Sequence, residues 1–314
     1  MLVLAAVLGG LAFALAWPVP VALSRAQWPS RAPAVALALW QAIAFAGGLS
    51  IIGCLVAFGS APAGTLPDAL VRLAPAIVSG PIPSAFGVLQ VAALTLAIAV
   101  ALLLTLNLVN TAARAERERR RQHQLIDILS DPLPGEPRTR VLAHPVPLAY
   151  CIPGIRTTTV LTDGLIEMLS HDEVAAVIAH ERAHLDQLHH LVRLAFRAWH
   201  SALPWFPIAN RAERSVVLLT EMLADDRARR TVGTEPLRRA LELIGGAGEP
   251  GSYPDIAGAS PDAAMLSARF DRLRPQDTGD TGLTSGVRAG VIAASVALVA
   301  IPLACYGVIL GIVP

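Results

Sequence analysis

Four stretches of this chain are too long and too apolar for an ordinary water-soluble fold: Met1–Leu23, Ala34–Phe58, Ala85–Val109 and Val287–Val313. A helix crossing the hydrocarbon core of a bilayer needs about 20 such residues. The whole chain agrees, with 54% hydrophobic and 16% charged residues over 314 positions and a mean hydropathy of +0.55. A formal charge of +1 leaves no global basic field, so no direct nucleic-acid binding is expected. The first run could be read as a signal peptide, because Ala14-Leu15-Ala16 resembles a cleavage site. A secretory signal should open with basic residues, however, and Met1–Gly10 has none, so it is read as a retained span.

All 25 basic residues are arginine, and their placement orients the spans through the positive-inside rule. Arg25 and Arg31 follow the first run. The second connection, Gly59–Ser84, is a Pro/Gly/Ala-rich loop carrying only Arg72 beside Asp68. After the third run comes "TAARAERERRRQHQ", and Arg269, Arg272, Arg274 and Arg288 precede or open the fourth. The expectation is a multi-pass α-helical protein of the cell membrane, in contact with the lipid bilayer. Three spans occupy residues 1–109, an α+β domain occupies 110–286 on the cytoplasmic side, a fourth span occupies 287–314, and both termini lie outside. The run around Arg114–Arg121 reads as a solvated helix with i,i+4 pairs to Glu116 and Glu118. Cys54, Cys151 and Cys305 form no CxxC pair, which speaks against a disulfide framework or a thiolate metal site.

Within 110–286, "RVLAHPVPLAYCIPG" and "IRTTTVLTDG" read as two strands around Gly154, and "GLIEML" as a short helix. Ser170 and Glu173 then have capping-box spacing before the apolar run Val174–Ala179. The helix they start is expected to run on to the breaker Pro204, with a second helix over Ala209–Arg230 and a loop or lid over residues 245–262.

The first of these helices carries His180-Glu181-Arg182-Ala183-His184. Residues four apart lie one turn apart on one helix face, so two imidazoles can reach one zinc ion. Glu181 is then held beside the metal, where it can take a proton from activated water. His189 lies about 140° round a continuous helix from His184. It and His190 therefore suit packing, or bracing a ligand, rather than ligation. His123, His144 and His171 read as surface or capping residues, His200 as interfacial, and Tyr150 as a core or substrate-side residue.

A catalytic zinc needs a third protein ligand and an open position. Glu221 is the candidate, and Asp225, four residues on, is placed to accept the second N–H of a ligating imidazole. The competing reading makes Glu221, Asp225 and Asp226 a solvated acidic face paired with Arg227, Arg229 and Arg230. Against it, Val216–Leu219 and Met222–Leu223 make that helix largely apolar.

Together these residues resemble membrane-embedded zinc metallopeptidases of the β-lactam-sensor/antirepressor (BlaR/MecR-type) family, related to HtpX-type and CAAX-type peptidases. The resemblance rests on "AYCIPGIRTTTVLTDGLIEMLSHDEVAAVIAHERAH", "WFP" at 205–207, "EMLAD" at Glu221–Asp225 and "ARFDRL" around Arg269. Three spans before the domain and one after match that family's layout. The resemblance implies a zincin (gluzincin-like) domain with one zinc per chain on His180, His184 and Glu221. It makes Glu181 the base and Asp225 a supporting residue. Ala149, Tyr150 and Cys151 would lie on an edge strand that pairs with an extended peptide.

Two departures stand out. The sensors carry a penicillin-binding domain after their last helix, whereas this chain stops at Pro314, so no β-lactam sensor domain and no direct acylation are expected. They also tend to have an acid five residues past the second zinc histidine, where this chain has His189. The expected function is a zinc-dependent endopeptidase cleaving a cytoplasmic or membrane-bound protein substrate, such as a winged-helix repressor in a signalling pathway. Membrane-protein quality control and a catalytically silent signal transducer are the alternatives.

Overall fold

A computed structural model describes residues 1–78, 80–136, 138–154, 157–202, 207–247, 263–274 and 283–313. Pro204, Trp205, Phe206 and most of the expected loop or lid lie outside the described residues. Four helical stretches are long and apolar enough to cross a membrane: Leu2–Arg25, Pro33–Gly59, Val88–Leu129 and Ser285–Ile309.

The first is two helices, α1 (Leu2–Ala16) and α2 (Pro18–Arg25), broken at Trp17 with φ −131° and ψ −75°. Pro18 causes the break, since it lacks an N–H and disfavours helical backbone in the residue before it. A one-turn α3 (Trp28–Arg31) leads into α4 (Pro33–Gly59), against which α1, α6 (Val88–Leu129) and α13 (Ser285–Ile309) all pack. At Gly59 an added Cβ would meet Leu94 Cγ at 2.5 Å, so α4 and α6 approach where only hydrogen fits. The outer faces keep large apolar side chains exposed, among them Leu102, Leu106, Val296 and Ile301, as lipid contact requires.

Two connections differ from expectation. Part of the supposed loop 59–84 is the amphipathic α5 (Leu66–Val78), started by Thr65, whose hydroxyl accepts from Asp68 N and donates to its carboxylate at 2.8 Å. The helix carrying the third apolar run does not stop near Val109: α6 continues through the arginine run as one helix of 42 residues, about 63 Å long. On it Glu116 pairs with Arg120 at 2.8 Å and with Arg119 at 3.6 Å, as a solvated helix would.

A four-stranded sheet follows, β1 (Ser130–Pro132), β2 (Thr139–Leu142), β3 (Ala149–Ile152) and β4 (Thr158–Thr162), in the order β1-β2-β4-β3. The stretch read as one strand over 140–154 is therefore two, because Pro145 and Pro147 interrupt the pairing. Strand β3 pairs antiparallel with β4, Cys151 opposite Thr159, and among the described residues it pairs with nothing else. Its entry is pinned: the Thr162 hydroxyl donates to Val146 O and accepts from Leu148 N at 2.9 Å. Gly164 is required nearby, since a Cβ there would lie 2.0 Å from the Pro145 carbonyl oxygen.

The helices α7 (Asp163–Met168), α8 (His171–Asp186), α9 (His189–Ala202), α10 (Pro207–Val232), α11 (Thr234–Ala247) and α12 (Ala263–Leu273) complete the chain before α13. The capping box is present at the start of α8: Ser170 accepts from Glu173 N, and Glu173 accepts from Ser170 N. Helices α8 and α9 are not one helix. The break falls at Gln187 and Leu188, the latter with φ +53°. The α9–α10 pair does not hang free of the spans. Phe196, Ala212, Val216 and Leu219 share one buried apolar cluster with Leu15, Leu23, Leu37, Trp40 and Ile43.

Candidate metal centre

Helix α8 packs against α10 and against β3, which brings three regions of the chain together. His180 and His184 come from one face of α8 and Glu221 from α10, and one ligand atom from each lies within 4.8 Å of the others. The two Nε2 atoms are 3.2 Å apart. Glu221 Oε2 lies 3.4 Å from His180 Nε2, and its Oε1 lies 3.3 Å from His184 Nε2.

The partners of the other ring nitrogens assign the tautomers. His180 Nδ1 lies 2.9 Å from Asp225 Oδ1, an ion-pair contact out of line for a hydrogen bond, and the carboxylate beside it favours a proton on Nδ1. His184 Nδ1 meets His189 Nδ1 at 2.9 Å, and His189 Nε2 meets Gln187 Oε1 at 3.1 Å. An amide oxygen only accepts, so His189 donates from Nε2, accepts on Nδ1, and leaves His184 to donate from Nδ1. Both Nε2 lone pairs then converge on each other and on a carboxylate. That arrangement needs a proton or a metal cation between the two rings, and two imidazoles with a carboxylate are a donor set that zinc takes. The residues fit the ion.

The electrostatics agree. Burial opposes charge on His180, yet Asp225 and Glu221 outweigh it and hold its pKa up to about 9, so the pocket seeks a positive charge. Burial would raise Glu221, but His184 and Arg269 hold it well below the usual carboxylate range. Asp225 is also lowered, with Arg269 again the main counterweight to burial. Arg269 makes two 2.8 Å bonds to Asp225 and approaches Glu221 Oε2 at 3.1 Å. Arg193 donates to Glu221 Oε1 at 2.5 Å and to Thr220 at 3.0 Å.

The acidic helix face is therefore mostly buried. Asp225 is 1% and Asp226 5% exposed. One element of the competing reading does hold, since Asp226 pairs with Arg229 at 3.2 Å, though it also takes Arg272 at 2.6 Å. Glu181 is half-buried on α8, which packs against β3; burial first, then the nearby Glu181 charge, push the Cys151 thiol pKa up. Ala149, Tyr150 and Cys151 lie on the sheet edge, and Tyr150 packs against the cluster of Ile126, Ile152 and Val160. His200 pairs with Glu213 at 2.7 Å and ties α9 to α10.

His189 takes the bracing role that the sequence allowed it, but by a different geometry. The 140° offset holds only on a continuous helix. The break at Leu188 turns the chain so that His189, 2% exposed, returns to brace His184. Arg193 had no sequence signal, because it lies 28 residues from its carboxylate. Arg269 was marked only by the stretch "ARFDRL".

Residues 112–243 match the family model described as Peptidase family M48. The matched stretch runs from the outer part of α6 through most of α11 and includes His180, Glu181, His184, Glu221 and Asp225. No curated protein and no solved structure matches the chain. The match supports a metallopeptidase domain of the membrane type. The finer likeness to the β-lactam sensors stays with the sequence motifs.

Proposed function

We propose that this chain is an integral-membrane zinc endopeptidase of the HExxH, gluzincin type, with its active site on the cytoplasmic side. The observation that carries the reading is the convergence of two imidazole lone pairs and one carboxylate, each imidazole braced from behind. Bound zinc would supply Lewis-acid polarisation of water and of a peptide carbonyl.

The chain's own residues do the rest. Asp225 and His189 hold the two imidazoles in the ligating tautomer, and Arg193 and Arg269 fix the Glu221 carboxylate between them. The outer edge of β3 offers Ala149–Ile152 to an extended substrate, whose main chain adds a strand and so presents a peptide bond beside Glu181. Glu181 takes the proton from the attacking water and returns it to the leaving amine. The resemblance to the antirepressor sensors favours a cytoplasmic repressor or a membrane-bound protein as substrate.

Replacing Glu181 by Gln in the purified full chain tests this. Zinc content should be unchanged while cleavage of a protein substrate falls about 10²–10⁴-fold, the usual worth of a general base. Cleavage at the wild-type rate with zinc bound would refute the mechanism, and a wild-type chain that binds no zinc would refute the reading itself.

A further inference from the structure

A cleft of about 1520 Å³ runs beside the metal centre between α6, α9 and α10. Its lining reaches Cys151 on the strand edge and Arg193 on Glu221, so it is continuous with the candidate active site. The α6 wall extends from Asn107 to Gln122, about 22 Å along the helix, which matches about six or seven residues of extended peptide. At the membrane end Asn107 hydrogen-bonds Ser201 at 2.9 Å and the Ala198 carbonyl, closing the gap between α6 and α9.

The charges in this cleft are unbalanced. Arg193 is spent on Thr220 and Glu221, Arg119 leans on Glu116 at 3.6 Å, Arg114 holds Asn110 at 3.3 Å, and Glu213 is taken by His200 at 2.7 Å. Glu118 on α6 is exposed in the lining with no side-chain partner among the described residues. Arg197 and Arg214 also line the cleft, are exposed, and have no side-chain partner among the described residues. Arg197 stands one turn beyond Arg193 on the same face of α9, about 6 Å further from the metal ligands. Neither cation serves the packing of α9 on α10. Two unpartnered guanidinium groups against the single unpartnered carboxylate of Glu118 leave the cleft net positive, and between low-dielectric walls such a field concentrates carboxylates.

We infer that this cleft selects a substrate stretch bearing acidic side chains, gripped by Arg197 and Arg214 while the neighbouring peptide bond lies at Glu181. The inference rests on the peptidase reading and adds a substrate class to it. An acidic peptide is favoured over an anionic lipid surface because both arginines face into a helix-walled channel that opens onto the strand edge.

The test uses the zinc-loaded full chain carrying Glu181→Gln, in nanodiscs of phosphatidylcholine alone. The probes are three fluorescent alanine-based decapeptides that differ only in a central pair, Glu-Glu, Gln-Gln or Arg-Arg. The acidic peptide should bind at least 10-fold more tightly than the neutral one, with an affinity that falls as salt rises. Arg197→Gln with Arg214→Gln should flatten the ranking, and Arg197→Glu with Arg214→Glu should invert it. Equal binding of the three peptides, or a ranking unmoved by both double variants, overturns the inference. So does an effect of the variants confined to binding phosphatidylglycerol vesicles, which would assign the arginines to lipid. Failure of the wild type to cut any of the three peptides with zinc bound would count against the peptidase reading, while the binding ranking would still decide the role of the cleft.

Discussion

Helix α10 has two halves with opposite chemistry. Ala212, Val216 and Leu219 lie in an apolar cluster with residues of α1, α2 and α4. Two residues past Leu219 the helix enters a buried polar network of Glu221, Asp225, Arg269, His180 and His184. The first half is held by packing, which tolerates any apolar side chain of the right volume. The second is held by paired charges in a low-dielectric site, where each group depends on its partner. The comparison teaches where precision comes from: the spans set the height of the helix, and the ion pairs set the positions of ligand atoms.

The largest expected effect is therefore in the polar half. Asp225→Ala strands the buried Arg269 guanidinium with Glu221 alone and leaves His180 Nδ1 without its carboxylate. Removing one partner of such a buried pair costs about 3–5 kcal/mol, and losing the brace behind a ligand costs about 10–100-fold in metal affinity. Thermal unfolding and a chelator competition should report both losses together. In the apolar half, Leu219→Ala should lower stability by about 2–3 kcal/mol through the cavity it leaves. Zinc affinity should stay within about threefold, because Leu219 belongs to the apolar cluster that includes Trp40 and makes no part of the ion-pair network around the ligands. A parallel loss of zinc in Leu219→Ala would show that the halves act as one unit and would break the comparison.

Much of this was legible in local patterns. The four apolar runs, the Ser170–Glu173 capping box and the one-turn spacing of His180 and His184 are all short-range signals, and Glu221 and Asp225 could be read from an acid pair on an apolar helix. What escaped depends on long-range or backbone detail. Arg193 and Arg269 reach their carboxylates across 28 and 44 residues of chain, and no periodicity marks such contacts. The insertion of Ala212, Val216 and Leu219 among the spans looks, in one dimension, like any amphipathic helix. The His189 geometry was missed because it depends on a single leucine adopting backbone that leucine rarely takes.

His189 gives a second comparison, within the network, since it braces His184 without a charge of its own. Burial, followed by the neighbouring His184 and Arg193, pulls its pKa down to about 3. It works as a neutral brace, where Asp225 works as an anionic one. His189→Ala should lower zinc affinity about 10-fold, toward the lower end for lost braces. His189→Asp supplies a carboxylate acceptor for His184 Nδ1 and should restore most of it. A chelator titration of the three proteins checks the order, and equal affinities would remove His189 from the site.

The smallest effect probes the turn that makes this possible. Leu188 has φ +53° and is 52% exposed, so its side chain contributes little packing to offset the strain. A left-handed conformation costs a side-chain-bearing residue about 1–2 kcal/mol, whereas glycine adopts it freely. Leu188→Gly should thus raise stability by up to about 1 kcal/mol, less the extra entropy that glycine gives the unfolded chain. Leu188→Val, branched at Cβ, should fall by a comparable amount. Zinc affinity should be unchanged in the glycine variant, because His189 would still be returned to His184 by the same backbone. If affinity falls there while stability rises, the leucine side chain, and not the turn, is what aims the imidazole. The polar half of the site would then depend on an apolar contact after all.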